Sequence, residues 1–200
     1  GYSSAASDVY KRQTDSKAIG TLIYSAMIAV VTTIVCLLVA YPVAYILAKG
    51  EFRRGNVLLM LFVMPMWINF TLRITALKEI LTLIEGNLAF HPFLNTVIGM
   101  TYDFLPFMIL PIYNTIAKID HSYIEAAKDL GASDAIILFK IIIPLTLSGI
   151  ISGIIMVFVP ALTSFVISDL LGGGKVLLIG NVIEQEFMQG TNWNLGYGLS

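Results

Sequence analysis

Asp103 is the residue that asks most of its surroundings: a carboxylate inside an otherwise uncharged run from Phe93 to Ala117, directly after Tyr102. An ionisable group at that depth in an apolar segment is a functional candidate by default, because leaving it unpaired is costly. Its alternative role is a structural hydrogen bond to backbone groups freed near Pro106. Asp169 closes a second apolar run, where it either lines the mouth of a pathway or sits in water beside Gly172 and Gly173. Trp67 either lines a path or anchors a helix at the membrane surface, the commoner use of tryptophan in membrane helices. Glu184 and Glu186 either attract a cation or an external protein, or are solvated surface.

Other groups with chemical potential lead nowhere. The run Gly172-Gly173-Gly174-Lys175 looks like a phosphate loop, but Val176 stands where Ser or Thr is required and Asp169 where the first glycine belongs, so it is not read as an ATP site. His91 and His121 lack Cys or His neighbours at metal-ligand spacing, so no metal site is expected. Cys36, the one cysteine, lies between Val35 and Leu37 and reads as a buried apolar thiol. No catalytic residue is expected. A net charge of −1 gives no basic face for nucleic acid.

The elements that must position these residues are apolar. Of 200 residues, 57% are hydrophobic and 12% charged, against about 25% charged in an average soluble domain. The expected fold is all-α, a polytopic transmembrane helix bundle. Residues 19–48 carry no charge, more than the roughly 20 apolar residues that cross the hydrocarbon core. Further spans are expected near 56–76, interrupted by Pro65; at 93–117, kinked by Pro106 and Pro111; and at 141–168. In the last, Gly149 and Gly153 form a small-xxx-small pair with Ser148 and Ser152 beside them, which predicts close helix packing on that face.

The basic residues set the orientation. With Lys49, Arg53, Arg54, Lys118, Lys128 and Lys140 inside, the loop 118–140 is cytoplasmic and the first span begins outside. That arrangement, and an end rich in Trp193, Tyr197 and glycine, leads to the expectation of a bundle truncated at both ends. Residues 1–13 read as a non-native leader, and residues 14–200 as one transmembrane domain.

The loop has its own local grammar. Ser122 and Glu125 have capping-box spacing, Ala126, Ala127, Lys128 and Leu130 favour a helix of barely two turns, and Gly131 can end it in the left-handed conformation. Ser133 then caps a second helix that runs until Pro144 interrupts its hydrogen bonding.

Glu125-Ala126-Ala127, Gly131 and Ile141-x-Ile143-Pro144 together resemble the EAA loop of ABC-importer permeases, with Ile143 in place of the commoner leucine. Most of residues 18–200 resembles the spermidine/putrescine importer permeases of the first-subunit type. That likeness is carried by Tyr41-Pro42-Val-Ala-Tyr45 with Lys49, Pro65-x-Trp67-x-Asn69 with Arg73, Leu105-Pro106-Phe107-Met108 with Pro111, and Asn192-Trp193-Asn194.

The resemblance implies a multi-pass subunit in a bacterial inner membrane that couples to ATPase subunits through Glu125, Ala126, Ala127 and Gly131. It implies a second permease, two ATP-binding subunits and an external substrate-binding protein as partners, within the lipid bilayer. ATP and magnesium would be used by the motor subunits, with no cofactor on this chain. A polyamine path needs carboxylates to offset charge and aromatic faces for cation–π contact, which makes Asp103, Asp169, Trp67 and Tyr102 the path candidates. A permease for another solute, and an ATP-independent secondary transporter or channel, remain as alternatives.

Overall fold

The computed structural model describes residues 16–49 and 55–172, and among these every regular element is helical. The leader 1–13, the glycine run beyond Gly172, Glu184, Glu186 and the stretch 192–200 lie outside the described residues.

Among the described residues, two helices are long and apolar enough to cross a membrane unbroken. The first, α1, runs Ser16–Lys49 with Pro42 inside it. Between Lys17 and Lys49 its sequence carries no charge, which suits a solvent that offers no hydrogen bonds, since a helix satisfies its own backbone. The second, described below as α4, runs Pro92–Ala117 with Pro106 and Pro111 inside it. Proline at its first position costs no intrahelical bond. Near its end the Thr115 hydroxyl turns back to the carbonyls of Pro111 (3.1 Å) and Ile112 (2.9 Å).

The other two apolar runs are broken, where the sequence suggested spans. In the first of these, α2 (Gly55–Val63) passes through a 3₁₀ turn at Met64–Trp67 into α3 (Phe70–Glu85), and the path bends by 96°. Pro65 starts the tight turn, Ile68 leaves it in extended backbone, and the Ile68 amide closes onto the Pro65 carbonyl at 3.1 Å.

In the second, α5 (His121–Asp129) and α6 (Asp134–Ile137) lead into a π turn at Leu138–Ile142 and the short α7 (Ile143–Leu145). Thr146 separates these from α8 (Leu147–Thr163), and Ser164 separates α8 from α9 (Phe165–Leu171). The bend at Thr146 is 67°. Pro144 has no amide hydrogen to give, which loosens the turn before it. The Thr146 hydroxyl donates to the carbonyls of Ile142 (2.9 Å) and Ile143 (3.1 Å), which its own amide also reaches.

The chain divides into two compact units. Among the described residues, one holds 16–32, 70–102 and 158–172. Its core includes Ile28, Ile74, Met100, Ile167 and Leu171, all fully buried. There Gly99 lets α9 approach α4 so closely that an added Cβ would collide with Leu171.

The other unit holds Thr33–Asn69 and Asp103–Val157. In it Gly149 and Gly153 face Pro111, Thr115 and Met108 of α4, and a Cβ on Gly153 would stand 2.6 Å from the Met108 sulfur. The close packing expected of this pair is present. The serines do not share it: Ser148 and Ser152 are exposed, and the Ser152 hydroxyl bonds back to the Ser148 carbonyl at 2.8 Å. Residues one position before a buried glycine are turned by about 100° around the helix.

Candidate functional site

The loop between α4 and α8 lies wholly in the second unit, and each of its corners has a chemical cause. Helix α5 starts at Asp120, not at Ser122 as the capping-box spacing suggested. Asp120 is extended, its carboxylate accepts from the Ser122 amide at 3.0 Å, and Ser122 is already helical. Both residues are of types that cap helices; the backbone turns at the earlier one. Hydrogen bonds from the Ser122 amide and hydroxyl hold the Asp120 carboxyl below its ordinary range, with smaller help from the charges of Lys49 and His121.

The far end of α5 closes with a pair of bonds. The Ala132 amide reaches the Ala127 carbonyl (3.0 Å) and the Gly131 amide the Lys128 carbonyl (2.8 Å). This is the Schellman pattern, and it needs a left-handed residue after the cap. Gly131 supplies it at φ +77°. Ser133 then caps α6, its hydroxyl accepting from the Ile136 amide at 3.4 Å, as its position in the sequence indicated. Lys128 and Asp134 approach to 3.8 Å across the turn, an exposed pair of little energetic weight.

Exposure divides the four expected coupling residues. Glu125, Ala126 and Gly131 are exposed. Ala127 is only 8% exposed and lies inward with Ile124, three positions earlier on the same helix face, so its side chain is not free to meet another protein. Other residues extend the outward surface: Leu130 is 88% exposed, Phe139 67% and Tyr123 58%. Nothing in the local pattern distinguishes Leu130 from a core residue, which is why the sequence did not single it out.

The path candidates fall in both units. Asp103 is buried at 4% exposure, within the second unit, whereas Tyr102, its neighbour, is exposed and belongs to the first. Asp169 is exposed on α9 in the first unit. Trp67 is 85% exposed at the end of the 3₁₀ turn in the second.

A polar cluster that the sequence did not reveal sits in the first unit. Asn95, fully buried, donates to Glu85 Oε2 (2.9 Å) and to the Leu88 carbonyl (3.2 Å). His91 Nδ1 lies 3.7 Å from Glu85 Oε1. Cys36 is buried, as its neighbours indicated. Among the described residues no three metal-ligating side chains come together.

Comparison with known proteins adds identity to this geometry. Residues 40–196 match the family model described as the binding-protein-dependent transport system inner membrane component. The chain is 43% identical over 184 residues to the spermidine/putrescine transport system permease protein PotB of Haemophilus influenzae, covering 85% of this chain and 64% of that protein. To PotB of Escherichia coli it is 39% identical over 207 residues, covering 96% and 75%. A PotB homolog of Mycoplasma genitalium is 33% identical over 173 residues, covering 81% and 59%. The matched region takes in α4, the whole loop that follows it and α8, and the chain belongs to the family of binding-protein-dependent transport system inner membrane components, which are membrane-embedded transport subunits and not enzymes.

Proposed function

We propose that this chain is the first-type permease subunit of a polyamine importer, driven by ATP hydrolysed elsewhere. The carrying observation is the presentation of α5. Asp120 fixes its start and Gly131 its end, and Glu125, Ala126 and Leu130 are held outward between them. A short rigid helix with small and apolar side chains outward suits the groove of a motor protein. In this reading Glu125, Ala126 and Leu130 make the contact, Gly131 sets the angle, and Ala127 positions the helix from beneath.

Two ATP-binding subunits, a second permease and an external binding protein complete the assembly. ATP and its magnesium belong to the motor subunits, in keeping with Asp169 and Val176 breaking the phosphate-loop pattern here. Polyamine as the solute is supported by the likeness to the spermidine/putrescine permeases PotB and by the supply of carboxylates and aromatic faces in Asp103, Asp169, Tyr102 and Trp67.

The test is uptake of labelled spermidine and putrescine in cells lacking their own importer, supplied with the full-length gene and its partners. Wild type should restore uptake, and Glu125→Ala should lose uptake while the protein still inserts in the membrane. Unchanged uptake in Glu125→Ala would sink the coupling assignment, and no polyamine uptake in wild type would move the reading to another solute. Asp103→Asn decides that carboxylate's role: loss of uptake at normal protein level places it on the path, and retention assigns it to the packing of α4.

A further inference from the structure

Tyr41 and Lys49 belong to the stretch of α1 that carries part of the family resemblance, yet neither lies on the docking surface. Each instead makes one polar contact with the segment that bears α5. The Lys49 ammonium donates to the Ile119 carbonyl at 2.8 Å, one residue before the Asp120 cap. The Tyr41 hydroxyl lies 3.0 Å from the Thr146 hydroxyl. Thr146 directs its single hydrogen to the carbonyls of Ile142 and Ile143, so Tyr41 is the donor in that pair.

The two contacts grip opposite flanks of the loop. Ile119 precedes α5, and Thr146 sits at the 67° bend that returns the chain to α8. On α1 they lie eight residues apart, roughly 12 Å along the axis. All four residues fall in the second unit. The loop is joined covalently to α4 and α8, but α1 has no chain connection to it. These contacts span 70 and 105 residues of sequence.

We infer that Lys49 and Tyr41 are positioning residues for coupling, tethering α1 to both ends of the coupling loop so that a displacement of α5 moves α1 together with α4 and α8. This rests on the reading of α5 as the motor contact. A bond from an ammonium to a carbonyl next to the α5 cap resists separation of α1 from the helix start. The hydroxyl pair does the same at the bend, where Pro144 has already removed one backbone bond. Without both tethers, α5 can shift while α1 stays behind, and hydrolysis continues with less transport.

The test uses the full-length permease assembled with its second permease and ATP-binding subunits in proteoliposomes, with spermidine-loaded binding protein outside. ATP hydrolysis and spermidine import are measured on the same preparation for Lys49→Met, Tyr41→Phe, the double variant and Lys49→Arg. Each single variant should lower spermidine imported per ATP severalfold and the double about tenfold, with hydrolysis held within about twofold; Lys49→Arg, still a donor at that position, should stay near the parent. A merely structural role would lower import and hydrolysis together and leave the ratio unchanged, which overturns the inference.

Tyr41→Phe removes one oxygen atom and keeps the ring, so it carries the test if the double variant does not assemble; a parental ratio there is equally fatal. Glu125→Ala is run alongside. If it uncouples and the tether variants do not, only this inference falls. If loaded binding protein fails to stimulate the parent, the proposed function falls first.

Discussion

Adding one methyl group at two glycines should move stability in opposite directions. At Gly149 a Cβ would stand 2.7 Å from the Pro111 carbonyl oxygen and 2.9 Å from Thr115 Cγ2, and closest of all to Thr115 Oγ1. The Pro111 oxygen is backbone and cannot rotate away, and the Thr115 hydroxyl is engaged with the carbonyls of Pro111 and Ile112. Restoring ordinary contact with the Pro111 oxygen alone requires α8 to withdraw from α4 by about 0.7 Å, and the nearer Thr115 hydroxyl asks for more, which puts the cost in the upper part of the roughly 1–3 kcal/mol of overpacking. Alanine returns up to about 1 kcal/mol through its better helix propensity. The net expectation for Gly149→Ala is a loss of about 1–2 kcal/mol.

Gly20 is exposed on α1 with nothing within 4 Å of the added atom, so Gly20→Ala keeps only the propensity gain. The assay is the unfolding midpoint of the full-length permease in mixed micelles titrated with SDS, followed by helical circular dichroism. Equal midpoints for Gly149→Ala and the parent, or a loss at Gly20 matching that at Gly149, would refute the packing argument.

Two further outcomes concern the loop. At Gly131, which has φ +77° and open space around it, substitution meets backbone strain and no clash; Gly131→Val should therefore impair ATPase stimulation by loaded binding protein far more than Gly131→Asn, and equal impairment would count against the left-handed turn. Because the Asp120 carboxyl titrates below its ordinary range when folded, its cap stabilises α5 above the unfolded-state value of about 3.9 and is lost as pH falls through the lowered native value. Hydrogen exchange at the Ser122 amide, corrected for intrinsic rate, should show that loss; a profile that stays flat below the ordinary carboxylate range, or one unaltered by Asp120→Asn, would dismiss it.

The long apolar runs were legible because charge is nearly absent from them, Asp103 being the exception, which makes α1 and α4 visible to a count. The breaks were half legible. Pro65 and Pro144 announce disturbance, but the chain turns at Ile68 and Thr146, two or three residues later, where backbone and hydroxyl geometry settle the matter. Hydropathy does not register that choice.

Within the loop, Gly131 and Ser133 each stand alone as the residue type their position demands, so spacing sufficed. Asp120 and Ser122 compete for the same role, and spacing favoured the wrong one. Ala127 was assigned outward with Ala126 because the motif names both, whereas burial depends on what lies beneath, which one sequence does not contain. The Lys49 and Tyr41 contacts were invisible for the same reason.

The π turn at Leu138–Ile142 bears on how the loop can change in length. A π turn is a helical turn with one residue too many, closed by a bond from each amide to the fifth carbonyl before it. The Ile143 amide bonds to the Leu138 carbonyl in this way. Removing one residue there would let the bulge close into an ordinary α turn, and the flanking helices would keep the faces they present on either side. The stretch between Ser133 and Pro144 thus holds one residue of slack: a related chain shorter by one in this place would present α5 and α8 at the same angles, whereas a deletion between Gly131 and Ser133, where each residue has an assigned bond, would turn one helix against the other.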